Sequence, residues 1–399
     1  MNTCGRKASV LMVTGIFPPD IGGPATYVPL MATELLSRGH EVMVITSSEP
    51  RDMSQTGAYP FTVLRLPRRI NKLIRTLLIV GHIIKEGKRF DLLFVNGFHV
   101  EAALANLFLR KPCLMKVVGD FVWEAAHGRW TDRSFLEFQK REQGLFLEAL
   151  KLIRNWSLKR ADMVIVPSRF LQETIIGWGI WPQKSRVIYN AVGFTQEGRD
   201  KMSKPEDNSG ALKVISIGRL IKVKNFDKGI RAVGRLPQVD FTIVGEGPLE
   251  DDIRGLIAEL GLESRVKLSG KVPYECIPRV LREHDVMLLV SSHEGFPHVV
   301  IEAMSEGLVI VATAVGGLRE VVRDGENGLL VEPEEQSIYH ALRLLLEKPQ
   351  LRKRLSEAAL HDARGKFGVN AMVEETEKAI DDVMGMRKAR ARRFATGTR

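Results

Sequence analysis

The stretch Asp285–Met304, DVMLLVSSHEGFPHVVIEAM, holds an apolar run, a glycine/proline loop and a helix start. The run ends at Val290, and its lack of polar alternation implies a strand buried on both faces of a sheet. Pro297 is favoured in a first helical turn, so a helix is predicted to begin near it. Glu294 then lies in the loop and Glu302 in the second turn of the helix. Two carboxylates eight residues apart can grip two parts of one polyhydroxyl ligand. The backbone N–H groups of the loop can take a phosphate between them. A surface Glu followed by an unrelated helix Glu is the plainer alternative.

The same strand–loop–helix unit recurs along the chain of 399 residues. Short β-branched runs extend from Ser9–Thr14 to Arg186–Tyr189 in the first half, and from Leu212–Ile217 to Gly328–Val331 in the second. Such runs alternating with helical patterns predict βαβ units and parallel sheets, hence an α/β fold. The polar stretch 195–210, TQEGRDKMSKPEDNSG, breaks this rhythm and reads as a linker. The expected organisation is therefore a domain at 1–194, the linker at 195–210, a domain at 211–370, and a C-terminal helix with a basic tail at 371–399. Ligands of such sheets bind beyond the carboxyl ends of the strands, so the turns found there carry the functional reading.

Three of those turns stand out. Phe17–Thr26, FPPDIGGPAT, follows the first run; Gly22 and Gly23 let backbone approach a ligand, and a following helix N-terminus suits an anion or a sugar hydroxyl. An ordinary tight turn has the same composition. Gly218–Asn225, GRLIKVKN, sets Arg219 and Lys224 five apart across a turn; two such cations can converge on a diphosphate, or simply be solvated. Ala314–Glu320, AVGGLRE, adds another glycine pair before a helix. Gly245–Pro248, GEGP, lacks the third glycine of a dinucleotide fingerprint. No metal-ligand spacing, Walker A sequence or GxSxG is present. No metal is expected.

The net charge of +10 first suggests an anionic partner. Its distribution is more informative. Arg65 to Arg89 holds eight basic residues against Glu86 alone, and Met386 to Arg399 holds six with no acid; the remainder is near neutral. A protein that coats nucleic acid would not look like this. Three widely spaced cysteines, Cys4, Cys113 and Cys276, point to a reducing, cytoplasmic setting. No apolar run approaches the length of a membrane span. Arg6 and Lys7 precede an apolar run without a cleavage site, so the start reads as a strand and not as a signal peptide.

Taken together, the motifs resemble those of the family 4 glycosyltransferases of the GT-B fold, group 1 type, over nearly the whole chain. The Glu-x7-Glu signature from Glu294 to Glu302, GRLIKVKN, AVGGLREVV, DGENGLLV and PPDIGGPATYV occur in the expected order. The resemblance implies two Rossmann-like doubly wound domains facing a central cleft. It also implies a retaining, metal-independent hexosyl transfer from a UDP- or GDP-sugar. Arg219 and Lys224 would neutralise the donor diphosphate, Glu294 would hold the donor sugar, and Glu302 would hold the ribose. Phe296, Pro297, Val299 and Val300 would shape the phosphate and sugar loop, with Gly22 and Gly23 at the donor–acceptor junction. No permanently bound cofactor is implied, only the nucleotide sugar as co-substrate.

Two departures stand out. Many relatives carry a His after the fifth strand, where this chain reads KVVGDFVWE, with Gly119 at the His position and Asp120 beside it. Asp120 is therefore a candidate for part of that catalytic role. His99 and His127 lie in no matching motif and read as ordinary polar residues. Asn190-Ala191-Val192 replaces the usual Asn-Gly-Val.

In Arg68–Ile84, the residues Ile70, Leu73, Ile74, Leu77, Leu78 and Ile84 share one helical stripe, with Arg68, Lys72 and Arg75 off it. Such a helix can lie on an anionic bilayer or pack its apolar side on the sheet. The expected acceptor is a lipid-linked glycan or polysaccharide of the cell envelope, met at the cytoplasmic membrane face by a cytoplasmic, peripherally attached enzyme. The rivals are a soluble sucrose- or glycogen-synthase-like transferase, a sugar-nucleotide epimerase, and a non-catalytic binding protein. The intact Arg219, Lys224, Glu294 and Glu302 set argues against the last of these. Nucleic acid is not an expected partner, because aromatic-rich basic motifs are missing.

Overall fold

The computed structural model describes residues 7–20, 22–49, 59–128, 130, 131, 133–191 and 210–395, with side chains to 387. All but the last residue of the expected linker, and the tail side chains past Arg387, lie outside the described residues. The chain divides into two compact units, Met1–Tyr189 with Asn370–Arg399, and Asn190–Val369.

The first unit carries strands β1 (Ser9–Thr14), β2 (Glu41–Ser48), β3 (Thr62–Pro67), β4 (Leu92–Asn96), β5 (Cys113–Lys116), β6 (Met163–Val166) and β7 (Ser185–Val187). Its helices are α1 (Gly23–Ser37), α2 (Lys72–Gly87), α3 (His99–Leu109), α4 (Phe121–Ala126), α5 (Phe135–Lys140), α6 (Leu145–Lys159) and α7 (Arg169–Gly177). The sheet order is β3-β2-β1-β4-β5-β6-β7. Every pairing is parallel, and β1 is an interior strand, with Val10 beside Val42 on one side and Leu92 on the other.

The second unit carries α8 (Phe226–Gly234), α9 (Glu250–Glu259), α10 (Ile277–Arg282), α11 (His298–Ser305), α12 (Leu318–Val321), α13 (Glu335–Glu347) and α14 (Pro349–Lys366). Its strands are β8 (Leu212–Ile217), β9 (Val239–Val244), β10 (Val266–Gly270), β11 (Val286–Leu289), β12 (Val309–Thr313) and β13 (Gly328–Val331), in the order β10-β9-β8-β11-β12-β13. The strand order reverses between β1 and β4 in one sheet and between β8 and β11 in the other. Those are the switch points at which open α/β sheets bind ligands.

All thirteen apolar runs form strands, with ends displaced by up to two residues. The C-terminal helix is an element separate from α14. Phe367 is buried at the C-cap of α14, and α15 (Val369–Ala395) starts beyond it. The α15 helix belongs to the first unit, where Glu377 binds Arg38 at 2.7 Å and Arg387 reaches Asp162 at 3.3 Å.

Helix α2 packs part of its apolar surface on the sheet, including Ile84 of the stripe, and leaves the rest exposed. Ile79 and Ile83 enter the core, whereas Leu73, Ile74 and Leu77 of the stripe are 76%, 55% and 71% exposed. Two of the nearby cations are structural rather than solvated. Arg65 is buried and donates to the Pro18 carbonyl at 2.9 Å, and Arg68 grips both carboxylate oxygens of Asp20. These two arginines hold the loop that leads into Gly22.

At the end of β5, Lys116 is fully buried with its ammonium 4.1 Å from the Tyr27 ring centroid and no hydrogen-bond partner among the described residues. Burial pushes its pKa from 10.5 down to about 7. Between those two values the unfolded chain binds the extra proton, so raising the pH stabilises the folded state. Lys116→Met is expected to raise the urea midpoint at pH 7, by more than the ~1.4 kcal/mol that one pKa unit represents. The gain should shrink steadily towards pH 10.5. A gain that does not vary with pH would show that the lysine is not the titrating group.

Candidate active site

At the second switch point, the loop after β8 turns through a short helical segment, Lys222–Lys224, to Asn225, which adopts a left-handed φ of 49° at the start of α8. The Asn225 amide nitrogen donates to the Val290 carbonyl at 2.9 Å, and the Ser292 backbone N–H donates to the Val223 carbonyl at 2.8 Å. The two loops flanking the switch point are thus tied together by one side-chain and one backbone hydrogen bond. That tie places Lys224 Nζ 2.5 Å from Glu294 Oε1, with both side chains largely buried. Arg219 stands on the same loop and is exposed.

Two further loops close on this pair. The Gly317 N–H donates to the Glu294 carbonyl at 3.0 Å, and a Cβ at Gly317 would lie 2.4 Å from the Gly295 carbonyl oxygen. A side chain at Gly317 would therefore displace the loop that carries Glu294. The GEGP stretch also finds its explanation here. Gly245 has φ of 147°, and a Cβ on it would lie 1.9 Å from the Gly218 carbonyl oxygen. Its glycine serves backbone packing rather than dinucleotide binding.

Glu302 lies in the second turn of α11, as the spacing predicts, half-buried and accepting from the Tyr274 hydroxyl at 2.9 Å. Burial raises its pKa, and the Tyr274 bond lowers it. Phe296, Pro297 and Val300 are buried, and Val299 is half-buried. These four brace the loop from behind. Phe296 packs against Phe367 at 6.1 Å. Tyr274 was not legible in the sequence, because nothing in its short turn signals a neighbour on α11. The same holds for His298, whose Nε2 lies 2.7 Å from the Asn190 amide nitrogen.

In the first unit, Gly22 caps α1 with φ of 150°, a conformation that favours glycine. Asp120 does not present a free carboxylate. It is buried, caps α4 by accepting from the Val122 N–H at 3.0 Å, accepts from Gln139 at 2.8 Å, and ion-pairs with Arg154. The Trp178 ring covers the Arg154 guanidinium at 3.6 Å. Both oxygens of Asp120, the residue expected to take part of the catalytic role, are thus engaged within the fold. The neighbouring Glu124, on α4, turns its carboxyl back onto Gly119, where a Cβ would lie 2.3 Å from its Oε1, and burial raises its pKa, with the nearby Asp120 charge adding to the shift. His99 donates from Nε2 to the Lys116 carbonyl oxygen at 2.9 Å.

The description "Glycosyl transferases group 1" matches residues 198–362, and "Glycosyltransferase Family 4" matches residues 21–195. The chain belongs to the family 4, group 1 glycosyltransferases. A lipopolysaccharide core biosynthesis glycosyltransferase of Rhizobium meliloti is 30% identical over 54% of this chain and 63% of its own length. A Campylobacter jejuni N-acetylgalactosaminyltransferase acting on a diphospho-undecaprenol-linked sugar is 36% identical over 49% of this chain and 53% of its own. The chain thus spans between half and two thirds of those relatives. The GPI3 subunit of the Saccharomyces cerevisiae phosphatidylinositol N-acetylglucosaminyltransferase is 24% identical over 90% of this chain and 79% of its own. Among solved structures, Anabaena HepE in complex with UDP superposes with a TM-score of 0.76 at 21% identity, covering 94% of this chain and all of its own. The glycosyltransferase has the two-domain α/β GT-B fold. Among the described residues no helix is long and apolar enough to cross a membrane.

The Asp120 assignment has a direct check. Asp120→Ala leaves the Arg154 charge buried without its partner and is expected to cost roughly 3–5 kcal/mol in urea unfolding. A loss of turnover with unchanged stability would instead restore a catalytic role.

Proposed function

We propose that the enzyme transfers a hexose, with retention, from a UDP- or GDP-sugar to a lipid-linked or polysaccharide acceptor in cell-envelope glycan synthesis. The observation that carries this reading is the Lys224–Glu294 pair at the switch point of the second unit, with Arg219 on the same loop. Lys224 and Arg219 bind the donor diphosphate, Glu294 holds hydroxyls of the sugar, and Glu302 holds the ribose. The N-terminus of α11 adds a partial positive charge near the phosphates. Gly22 and Gly23 serve the acceptor side in the first unit.

In the transfer step, the bond between the anomeric carbon and the diphosphate oxygen breaks while the acceptor oxygen bonds to that carbon on the same face. The acceptor proton passes to an oxygen of the departing diphosphate. Negative charge grows on the leaving group, and preorganised cations lower the barrier where it grows. Arg219 and Lys224 supply that charge in this reading, with no metal required. Lys224 is shared: it restrains Glu294 before the donor binds and meets the diphosphate afterwards.

The acceptor is assigned to a membrane surface. Support comes from the exposed stripe of α2 beside Lys72 and Arg75, and from curated relatives that act on lipid-linked or phosphatidylinositol acceptors. The charge and the apolar face together suit a peripheral helix on an anionic bilayer.

A panel of nucleotide sugars, followed by mass spectrometry for transfer or hydrolysis, identifies the donor. With that donor, Glu294→Gln and Lys224→Ala are expected to lower kcat by at least about a hundredfold, the scale of removing one preorganised charge-stabilising group, while folding is retained. Wild-type turnover in both variants would refute the site. For Glu302, the donor KM should rise as pH falls through its raised pKa, because ribose binding needs the carboxylate. Tyr274→Phe removes the bond that lowers that pKa and should move the rise in KM to higher pH. An unshifted profile would remove Glu302 from the donor site.

A further inference from the structure

We propose that a second anion site lies on the first unit, remote from the glycine loop: a pocket whose three guanidinium groups bind the phosphate of an anionic lipid headgroup. This inference rests on the membrane-facing reading of that unit but not on the identity of the donor or of the transferred sugar. The pocket has a volume of about 320 Å³ and is lined by Arg110, Arg160 and Arg387 together with Asn106 and Leu107 of α3. Arg110 follows α3, Arg160 follows α6, and Arg387 comes from α15. Three elements distant in sequence thus deliver the same side chain to one cavity.

The cavity is built rather than accidental. Arg110 adopts a left-handed φ of 52°, a conformation that disfavours a non-glycine residue. Two bonds from the Asn106 side chain to the Lys111 backbone hold that turn, at 2.8 and 3.0 Å. Arg387 donates to the Arg110 carbonyl at 2.6 Å and contacts the buried Asp162 carboxylate at 3.3 Å. Asp162 is in turn engaged by the Cys113 N–H at 3.0 Å. Among the described residues, neither Arg110 nor Arg160 has an ion-pair partner, and both are exposed. One carboxylate against three guanidinium groups leaves an unbalanced positive cavity. The planar donor fork of arginine matches the oxygens of a phosphate.

The rim identifies the source of that phosphate. Leu107 lines the pocket, and Phe108 beside it is 74% exposed. On α6, Leu152, Ile153 and Trp156 are exposed, and the Trp156 ring lies 6.0 Å from the Arg160 guanidinium. A free phosphate ion gains nothing from such a rim. A lipid does, because its phosphate meets the arginines while aromatic and aliphatic side chains enter the interface. The α2 and α6 helices both pack against α3, and the Thr76–Glu101 bond sets the exposed stripe of α2 beside the opposite end of α3.

The test uses the full chain in sedimentation with phosphatidylcholine vesicles, with and without phosphatidylglycerol. Wild type is expected to prefer the anionic vesicles. Arg110→Ala with Arg160→Ala should weaken that binding about thirtyfold, the loss expected for two cations near a membrane surface. The charge-matched pair Arg343→Ala with Lys353→Ala on the second unit should change it less than about threefold. Equal losses in the two pairs, or none in the first, would overturn the pocket and leave the membrane reading standing. No vesicle binding by wild type would overturn both. Calorimetric titration with inorganic phosphate supplies the remaining arm. Tight arginine-dependent phosphate binding without vesicle binding would mark a soluble-phosphate site and overturn the lipid assignment.

Discussion

A parallel sheet covered by helices on both faces has no wet face on which to place polar chemistry. Strands such as β4, β6 and β12 are buried at every position. Function is therefore displaced to the carboxyl ends of the strands, where the backbone must turn and where successive loops come side by side. The glycines at 245 and 317 follow from this crowding. Each lies so close to a neighbouring loop that a Cβ would collide with backbone. The loops set one another's positions, and the side chains they carry inherit that precision.

The Lys224–Glu294 pair is a consequence of this arrangement. A largely buried ion pair gains little net stability, because desolvation offsets the attraction. In the function proposed above, its value lies in holding two charges where a third, the diphosphate, can join them. An isolated carboxylate facing a diphosphate would repel it, whereas a carboxylate already neutralised by lysine does not. The pair also keeps Lys224 extended before the donor arrives, so less side-chain entropy is lost on binding.

Much of the fold was legible because uninterrupted apolar runs between glycine and proline loops can hardly be anything but buried strands. The Glu294 to Glu302 spacing was legible for the same reason: one element ends and the next begins between them. What could not be read depends on contacts between distant segments. Asp120 follows the fifth strand, where a catalytic group is expected, but Arg154 and Gln139 lie far along the chain and claim its oxygens. Helix α2 is apolar on two sides, and periodicity alone does not say which side the sheet takes. Packing selected Ile79 and Ile83, leaving Leu73, Ile74 and Leu77 to solvent.

The basic excess divides along the same line. Arg65 and Arg68 are spent inside the first unit, clamping the loop that leads to Gly22. Arg387 is half spent, since Asp162 and a carbonyl occupy part of its guanidinium. Arg110 and Arg160 carry no such commitment among the described residues, and they sit beside exposed Phe108 and Trp156. Phe108 and Trp156 keep apolar surface in water beside these cations. A counterion would answer the charge alone, whereas an amphipathic anion covers both the charge and the apolar side chains, and that is the physical reason to place a lipid headgroup there.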